Sequence, residues 1–64
     1  MPKFIEFSII ENSDNLTAAA VLVDSIISVE QYRHEDTLRC LIETTDVWYR
    51  TEDPFDAIMR RLRA

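Results

Sequence analysis

The chain has 64 residues, a net charge of −5 at pH 7, one cysteine and one histidine. A chain of this length buries only about 60% of the surface that its unfolded form exposes, so small domains commonly gain stability from disulfides, a metal or a partner subunit. Cys40 has no partner for a disulfide within the monomer, and with His34 it supplies too few of the about four ligands that zinc needs. Good packing or oligomerisation remains as the source of stability, and we favour a homo-oligomer, most simply a dimer.

Composition also indicates the cellular location of the protein. Apolar residues make up 47% of the sequence, which is typical of a folded chain, and no run approaches the ~20 apolar residues that span a bilayer. The start, Met1 to Phe4, lacks the basic and apolar regions of a secretory signal peptide. Together with the lone thiol, these features predict a cytoplasmic protein with no membrane contact.

Polar segments divide the chain into runs of strand-forming residues. Because the chain has no glycine, a backbone position with positive φ is expected to be occupied by Asn or Asp. Alternating apolar residues predict that 37–43 is a half-buried strand, with 47–51 as its hairpin partner. The polar segments lie at 11–15, 33–36 and 43–46, and the predicted strands at 3–10, 18–23, 26–32, 37–43 and 47–51.

The segment from Ala18 to Tyr32 is harder to assign. Its length would suit a helix. Its β-branched residues and the interruption at Asp24 and Ser25 favour two short strands instead.

A terminal helix is predicted over residues 53–63. Asp53 is a suitable N-cap, Pro54 suits the first helical position, and Asp56 stands three residues after the cap. The last turn carries arginines, which favour the negative end of the helix dipole. The apolar side chains recur at the spacing of one helical face, namely Phe55, Ile58, Met59 and Leu62.

These elements predict an α+β fold in which four or five antiparallel strands are packed by one C-terminal helix. One sheet face should then be apolar and the other polar. The second face carries Phe4, Ile10, Leu41 and Trp48, and Leu22 and Ile26 could join them. Either the sheet curls into a small barrel, or this face contacts another molecule. We take Phe4, Leu41 and Trp48 as the candidate interface residues.

Catalysis has little support in the sequence. His34 lies in a charged loop without a nucleophile in reach, and Cys40 lies on the apolar side of a strand, where thiols are inert. The polar segment 11–15 lacks the glycine and distal Glu of a calcium loop, and no glycine-rich phosphate loop exists. We predict no enzymatic activity, no cofactor and no metal site.

Two further binding hypotheses remain open. Nucleic acid or a small anionic ligand could bind four arginines near the aromatic pair Trp48 and Tyr49, although the overall acidity opposes this. The arginines are Arg50, Arg60, Arg61 and Arg63. Alternatively, an acidic surface could occupy a basic site on a protein partner, as an inhibitor would, through Glu6, Asp24, Glu30, Glu43 and Asp46.

Residues 21–30, 37–42 and 49–58 resemble a group of very short bacterial and phage proteins, of which the flagellar FlbD-like family is the most familiar. The shared features are a strand, a hydrophobic-Ser-Val step at Ile27-Ser28-Val29, two further strands, and a Glu-Asp pair before a terminal helix. The resemblance covers about residues 20–62. It implies a strand-rich accessory or regulatory factor without enzymatic activity, and it transfers no functional residues. The leading expectation is a small interaction module that self-associates and binds a protein partner.

Overall fold

A computed structural model describes residues 2–12 and 15–64. The predicted polar segment 11–15 includes residues 13 and 14, which lie outside the described residues. The elements, in chain order, are β1 (Phe4–Asn12), β2 (Asn15–Leu22), a 3₁₀ helix (Val23–Ser25), β3 (Ile26–His34), β4 (Thr37–Thr44), β5 (Trp48–Thr51) and α1 (Phe55–Arg63).

The predicted α+β fold is confirmed. All five strands form one antiparallel sheet in the order β2-β1-β5-β4-β3. The segment from Ala18 to Tyr32 forms two strands, as its β-branched residues favoured, and the interruption at Asp24 and Ser25 is the 3₁₀ helix between them. The predicted hairpin of β4 and β5 is also present, with Ile42 opposite Tyr49.

The sheet is curled without closing into a barrel. β2 and β3 are its two edges, and four strand spacings in a flat sheet would separate them by about 19 Å. Only three residues, Val23–Ser25, join them, and the four steps from Leu22 to Ile26 span at most about 14 Å. The last residue of β2, Leu22, and the first residue of β3, Ile26, must therefore lie close together. At this connection Thr45 N–H donates to Ser25 O at 3.0 Å.

The core lies on the concave side of the curled sheet. The alternation of Ile5 and Phe7 and of Cys40 and Ile42 correctly predicted that these side chains are buried. Leu38 belongs to the same alternation but is 53% exposed, because it stands near the β3–β4 turn, beyond the core. The fully or nearly buried apolar side chains are Ile5, Phe7, Val21, Cys40, Ile42 and Ile58.

The terminal helix closes this core. Ile58 is fully buried, and Phe55 and Leu62 pack beside it on the sheet residues, as the spacing predicted. The predicted cap is wrong, however. The helix begins at Phe55 behind Pro54, and no side chain caps its first turn. Asp53 instead turns its carboxylate toward β1. Within the described residues, no helix has the length and apolar character needed to cross a membrane.

The β3–β4 turn shows how the chain manages without glycine. Glu35 and Asp36 form a two-residue loop between His34 and Thr37, with φ of 49° and 66°, the values of a type I′ turn. The prediction that Asn or Asp would occupy such positions holds for Asp36 and is wrong for Glu35. The tightness of the hairpin therefore forces a side chain with poor left-handed propensity into this conformation.

We expect the double substitution Glu35→Asn, Asp36→Gly to stabilise the protein. An L-residue in the left-handed region costs roughly 1–2 kcal/mol, and part of the gain is offset by the unfolded-state entropy of glycine. A net gain of about 1 kcal/mol should raise the thermal midpoint by about 4–8 °C, measured by circular dichroism. Asp46→Gly in the β4–β5 turn is the control, because among the described residues only Glu35 and Asp36 have positive φ. It should lower stability, and an equal rise in both variants would contradict the turn assignment.

Candidate functional site

The convex face of β4 and β5 carries an exposed tryptophan. Trp48 is 57% exposed and stands opposite Glu43 of β4. The next pair on the same face joins Arg50 and the half-buried Leu41. Trp48, Arg50, Leu41 and Glu43 therefore form one surface, which we call the Trp48 face.

The Trp48 face mixes apolar and charged groups. Ser28 on β3 donates its hydroxyl hydrogen to Glu43 Oε1 at 3.1 Å, which directs that carboxylate toward β3. Tryptophan and arginine are the residues most enriched among those that dominate binding energy in protein interfaces, especially where they lie beside apolar neighbours. The Trp48 face contains both of these residue types.

Phe4 does not belong to the Trp48 face. It is 57% exposed, but it lies at the start of β1, five residues before Ile9, which pairs with Thr51 of β5. Trp48 lies three residues in the other direction, so roughly 26 Å of strand length separates Phe4 from Trp48. The candidate interface residues therefore divide into two surfaces, Leu41 with Trp48 and Phe4 apart from them.

The four candidate anion-binding arginines do not converge either. Arg50 lies on the convex face, whereas the helix that carries the other three packs on the core side. Arg61 is engaged within the fold, since its Nη1 donates to Asp53 Oδ2 at 2.9 Å and to the backbone oxygen of Glu6 at 2.8 Å. Arg60 Nε donates to the backbone oxygen of Asp56 at 3.4 Å, and Arg63 is exposed at the end of the helix. These contacts give Arg60 and Arg61 a structural explanation, and Arg63 lies in the last turn of the helix with them.

The acidic residues of the inhibitor hypothesis are also spread over the molecule. Glu6, Glu30 and Glu43 face outward from three different strands, β1, β3 and β4. Asp24 lies in the 3₁₀ helix and Asp46 in the β4–β5 turn. They contribute to the acidic surface without forming one cluster.

Cys40 is fully buried on the core side of β4. Burial raises the pKa of its thiol above the ordinary value of 9.0, and the nearby Asp53 adds to the rise, while a hydrogen bond with Thr51 opposes it. The thiol therefore stays protonated at neutral pH, which does not suit a nucleophile. His34 lies at the exposed end of β3, with Nε2 4.0 Å from Glu35 Oε1. Within the described part of the chain, no three His, Cys, Asp or Glu side chains are grouped as metal ligands.

Among the described residues, three large exposed apolar side chains lie outside the set that the sequence nominated, namely Leu16, Ile27 and Val47. Leu16 on β2 is 59% exposed and stands opposite Ile10 of β1 on the convex face. A signal was present, because residues 16–22 form a run without any charged residue.

Comparison with protein-family models, with curated proteins and with solved structures found no match for this chain.

Proposed function

We propose that this chain is a cytoplasmic, non-catalytic interaction module that self-associates and binds a protein partner as an accessory or regulatory factor. The observation that carries the proposal is the exposure of Trp48 on a folded sheet surface. Burying a tryptophan side chain against a partner removes a large apolar area from water. The fold itself does not use Trp48 for packing, since the indole is 57% exposed while Tyr49 packs against Phe7.

The neighbours of Trp48 support a protein rather than a small-molecule ligand. Leu41 offers a second apolar contact and Arg50 a planar donor that can bind a carboxylate or a backbone carbonyl. The surface is convex, because the sheet curls toward its core. Small-molecule sites are concave pockets, whereas a convex aromatic patch can insert into a partner's surface.

The test uses photo-crosslinking to identify the partner, followed by a direct affinity measurement. A photoreactive amino acid at position 50 should crosslink one cellular protein. The same group at position 27 should not, because Ile27 is about as exposed as Trp48 but lies on β3 at the sheet edge. With that protein purified, we expect Trp48→Ala to weaken binding at least about 30-fold, the effect of a loss of ~2 kcal/mol.

Ile27→Ala is the matched control and should bind as the unmodified chain does. Both variants should keep the circular dichroism spectrum of the parent, since both replace exposed side chains. Equal affinity of the Trp48→Ala variant and the parent for the purified protein would overturn the assignment of the Trp48 face.

A further inference from the structure

The two edges of the sheet differ in how they are protected. β3 carries Glu30, Arg33 and His34, and its register shifts between Ile26 and Ser28. Charges and bulges of this kind are the usual means by which edge strands avoid pairing with other chains. β2 has neither over residues 16–22, where its register with β1 runs without a shift and no residue is charged or proline. In a chain of net charge −5, this edge is an uncharged pairing surface.

The backbone groups that β2 leaves free can be identified. Val23 N–H donates to Lys3 O at 2.8 Å, and Glu52 N–H donates to Ser8 O at 2.9 Å. The backbone N–H and C=O groups of successive residues in a strand point to opposite neighbouring strands. Those of the odd-numbered residues of β1 therefore bond with β2, and those of the even-numbered residues point toward β5. Odd residues of β2 pair with odd residues of β1. The N–H groups directed at the free edge belong to Leu16, Ala18, Ala20 and Leu22. The free C=O groups belong to Leu16, Ala18 and Ala20, because Leu22 O accepts a hydrogen bond from Ser25 Oγ at 2.7 Å.

We propose that β2 pairs antiparallel with β2 of a second copy of this chain, about a two-fold axis at Ala19. This inference rests on the proposed self-association and assigns its surface. In this register Leu16 faces Leu22 of the second copy, and Ala18 faces Ala20. It is the symmetric register in which all four outward-directed residues stand opposite one another, and it forms about six backbone hydrogen bonds, since Leu22 O of each copy already accepts from Ser25 Oγ.

The same register covers exposed apolar side chains that the monomer leaves in water. On the convex face, Phe4 is the neighbour of Leu22, and Ile10 is the neighbour of Leu16. Pairing places Leu22 beside Leu16 of the second copy, at the ~5 Å spacing of cross-strand neighbours. Two apolar rows result, each running from Phe4 through Leu22 to Leu16 and Ile10 of the other copy. Phe4 and Leu16, 57% and 59% exposed in the monomer, both lie in these rows.

Pairing of β2 with β2 of one second copy is favoured over pairing of β2 with β3, which would link many copies. Pairing of β2 with β3 would propagate into a filament, and the charges and register shift of β3 oppose it. Two-fold pairing of β2 with itself is closed. It brings no charged residue of either β2 strand to the junction, so the repulsion between two acidic chains acts only at longer range and is screened by salt.

Proline substitution on β2 tests the pairing directly. Ala18 N–H points to the free edge, so Ala18→Pro removes a donor from the dimer without removing one from the β1–β2 ladder. We expect the unmodified chain to sediment as a dimer at about 100 μM, and Ala18→Pro to weaken dimerisation at least about 30-fold with its circular dichroism spectrum retained. Leu16→Lys should act in the same direction and decides the question if the proline variant does not fold. Leu38→Lys, at an equally exposed site far from β2, is the control.

Hydrogen exchange supplies a second readout. Amides of Ala18 and Ala20 should gain protection as the protein concentration rises, whereas those of Ala19 and Val21 should be protected at every concentration. Raising the salt concentration should tighten the dimer.

A dimer that survives Ala18→Pro and Leu16→Lys but dissociates in Trp48→Ala would overturn the edge pairing and leave the proposed self-association standing. A chain that stays monomeric up to about 1 mM would overturn the self-association as well. If the purified partner still binds through the Trp48 face in that case, the interaction module itself stands.

Discussion

Replacing Ile58 by alanine is expected to unfold a large fraction of the protein at room temperature. The side chain is fully buried where the helix meets the sheet, and removing such a side chain from a core costs about 2–5 kcal/mol. A domain of this size has a total stability of only roughly 3–5 kcal/mol. The loss is thus comparable with the whole free energy of unfolding, which denaturant titration followed by circular dichroism would measure.

The substitution isolates packing from helix propensity. Alanine is the better helix former, so any loss reflects the core contacts of Ile58. Arg60→Ala is the control on the exposed side of the same helix, with an expected loss below about 1 kcal/mol from the weaker dipole interaction. Comparable losses in the two variants would show that α1 does not close the core.

The strands and the core could be predicted because their signals are local. A period of two in Ile5, Phe7 and Ile9 places these residues on one face whatever strand lies beside them. The same reasoning placed Cys40 and Ile42 in the core, where both are fully buried. The same reasoning wrongly predicted that Leu38 is buried. Alternation identifies the face of the strand on which a side chain lies, but it does not show where along the strand the core ends.

The grouping of the exposed residues could not be predicted from the sequence. Phe4 and Trp48 both lie on the convex face, and only the strand order and the pairing of Ile9 with Thr51 show that about eight residues of strand separate them. The edge position of β2 likewise depends on long-range pairing. The uncharged run at residues 16–22 becomes meaningful only once the strand is known to lack a neighbour on one side.

The role of Asp53 was misread for a related reason. An Asp before a Pro and an apolar helical face has the local pattern of an N-cap. In the structure, β5 ends at Thr51 while β1 continues toward Phe4, which leaves backbone groups of β1 without a strand beside them. Asp53 and Arg61 fill that gap. The need arises from the short length of β5, which no local pattern around Asp53 reveals.

The contacts of Asp53 continue the sheet by means of side chains. Its Oδ2 accepts hydrogen bonds from Ser8 N–H at 3.1 Å and from Arg61 Nη1 at 2.9 Å. The same Nη1 donates to Glu6 O at 2.8 Å. The helix is thereby tied to the side of β1 that β5 does not reach, in a partly buried position where the Asp53 side chain is 23% exposed.

We therefore expect Asp53→Ala to lower the free energy of unfolding by about 1–3 kcal/mol, because it leaves Ser8 N–H without its acceptor and removes a charge-assisted hydrogen bond from Arg61. Denaturant titration would measure the loss, and hydrogen exchange should show faster exchange of the Ser8 amide. Asp53→Asn should lose less, because the amide oxygen can still accept from Ser8.

Asp53→Ser separates this network from helix capping. Serine is as good an N-cap as aspartate, so a capping role would leave stability nearly unchanged. A serine side chain is one atom shorter and uncharged, and it cannot bind Ser8 N–H and the Arg61 guanidinium together. The network therefore predicts a loss close to that of Asp53→Ala, together with a weaker effect of Arg61→Ala in the serine background than in the parent. Retained stability of the serine variant would instead return Asp53 to the role of a cap and leave the β1 backbone to be satisfied by water.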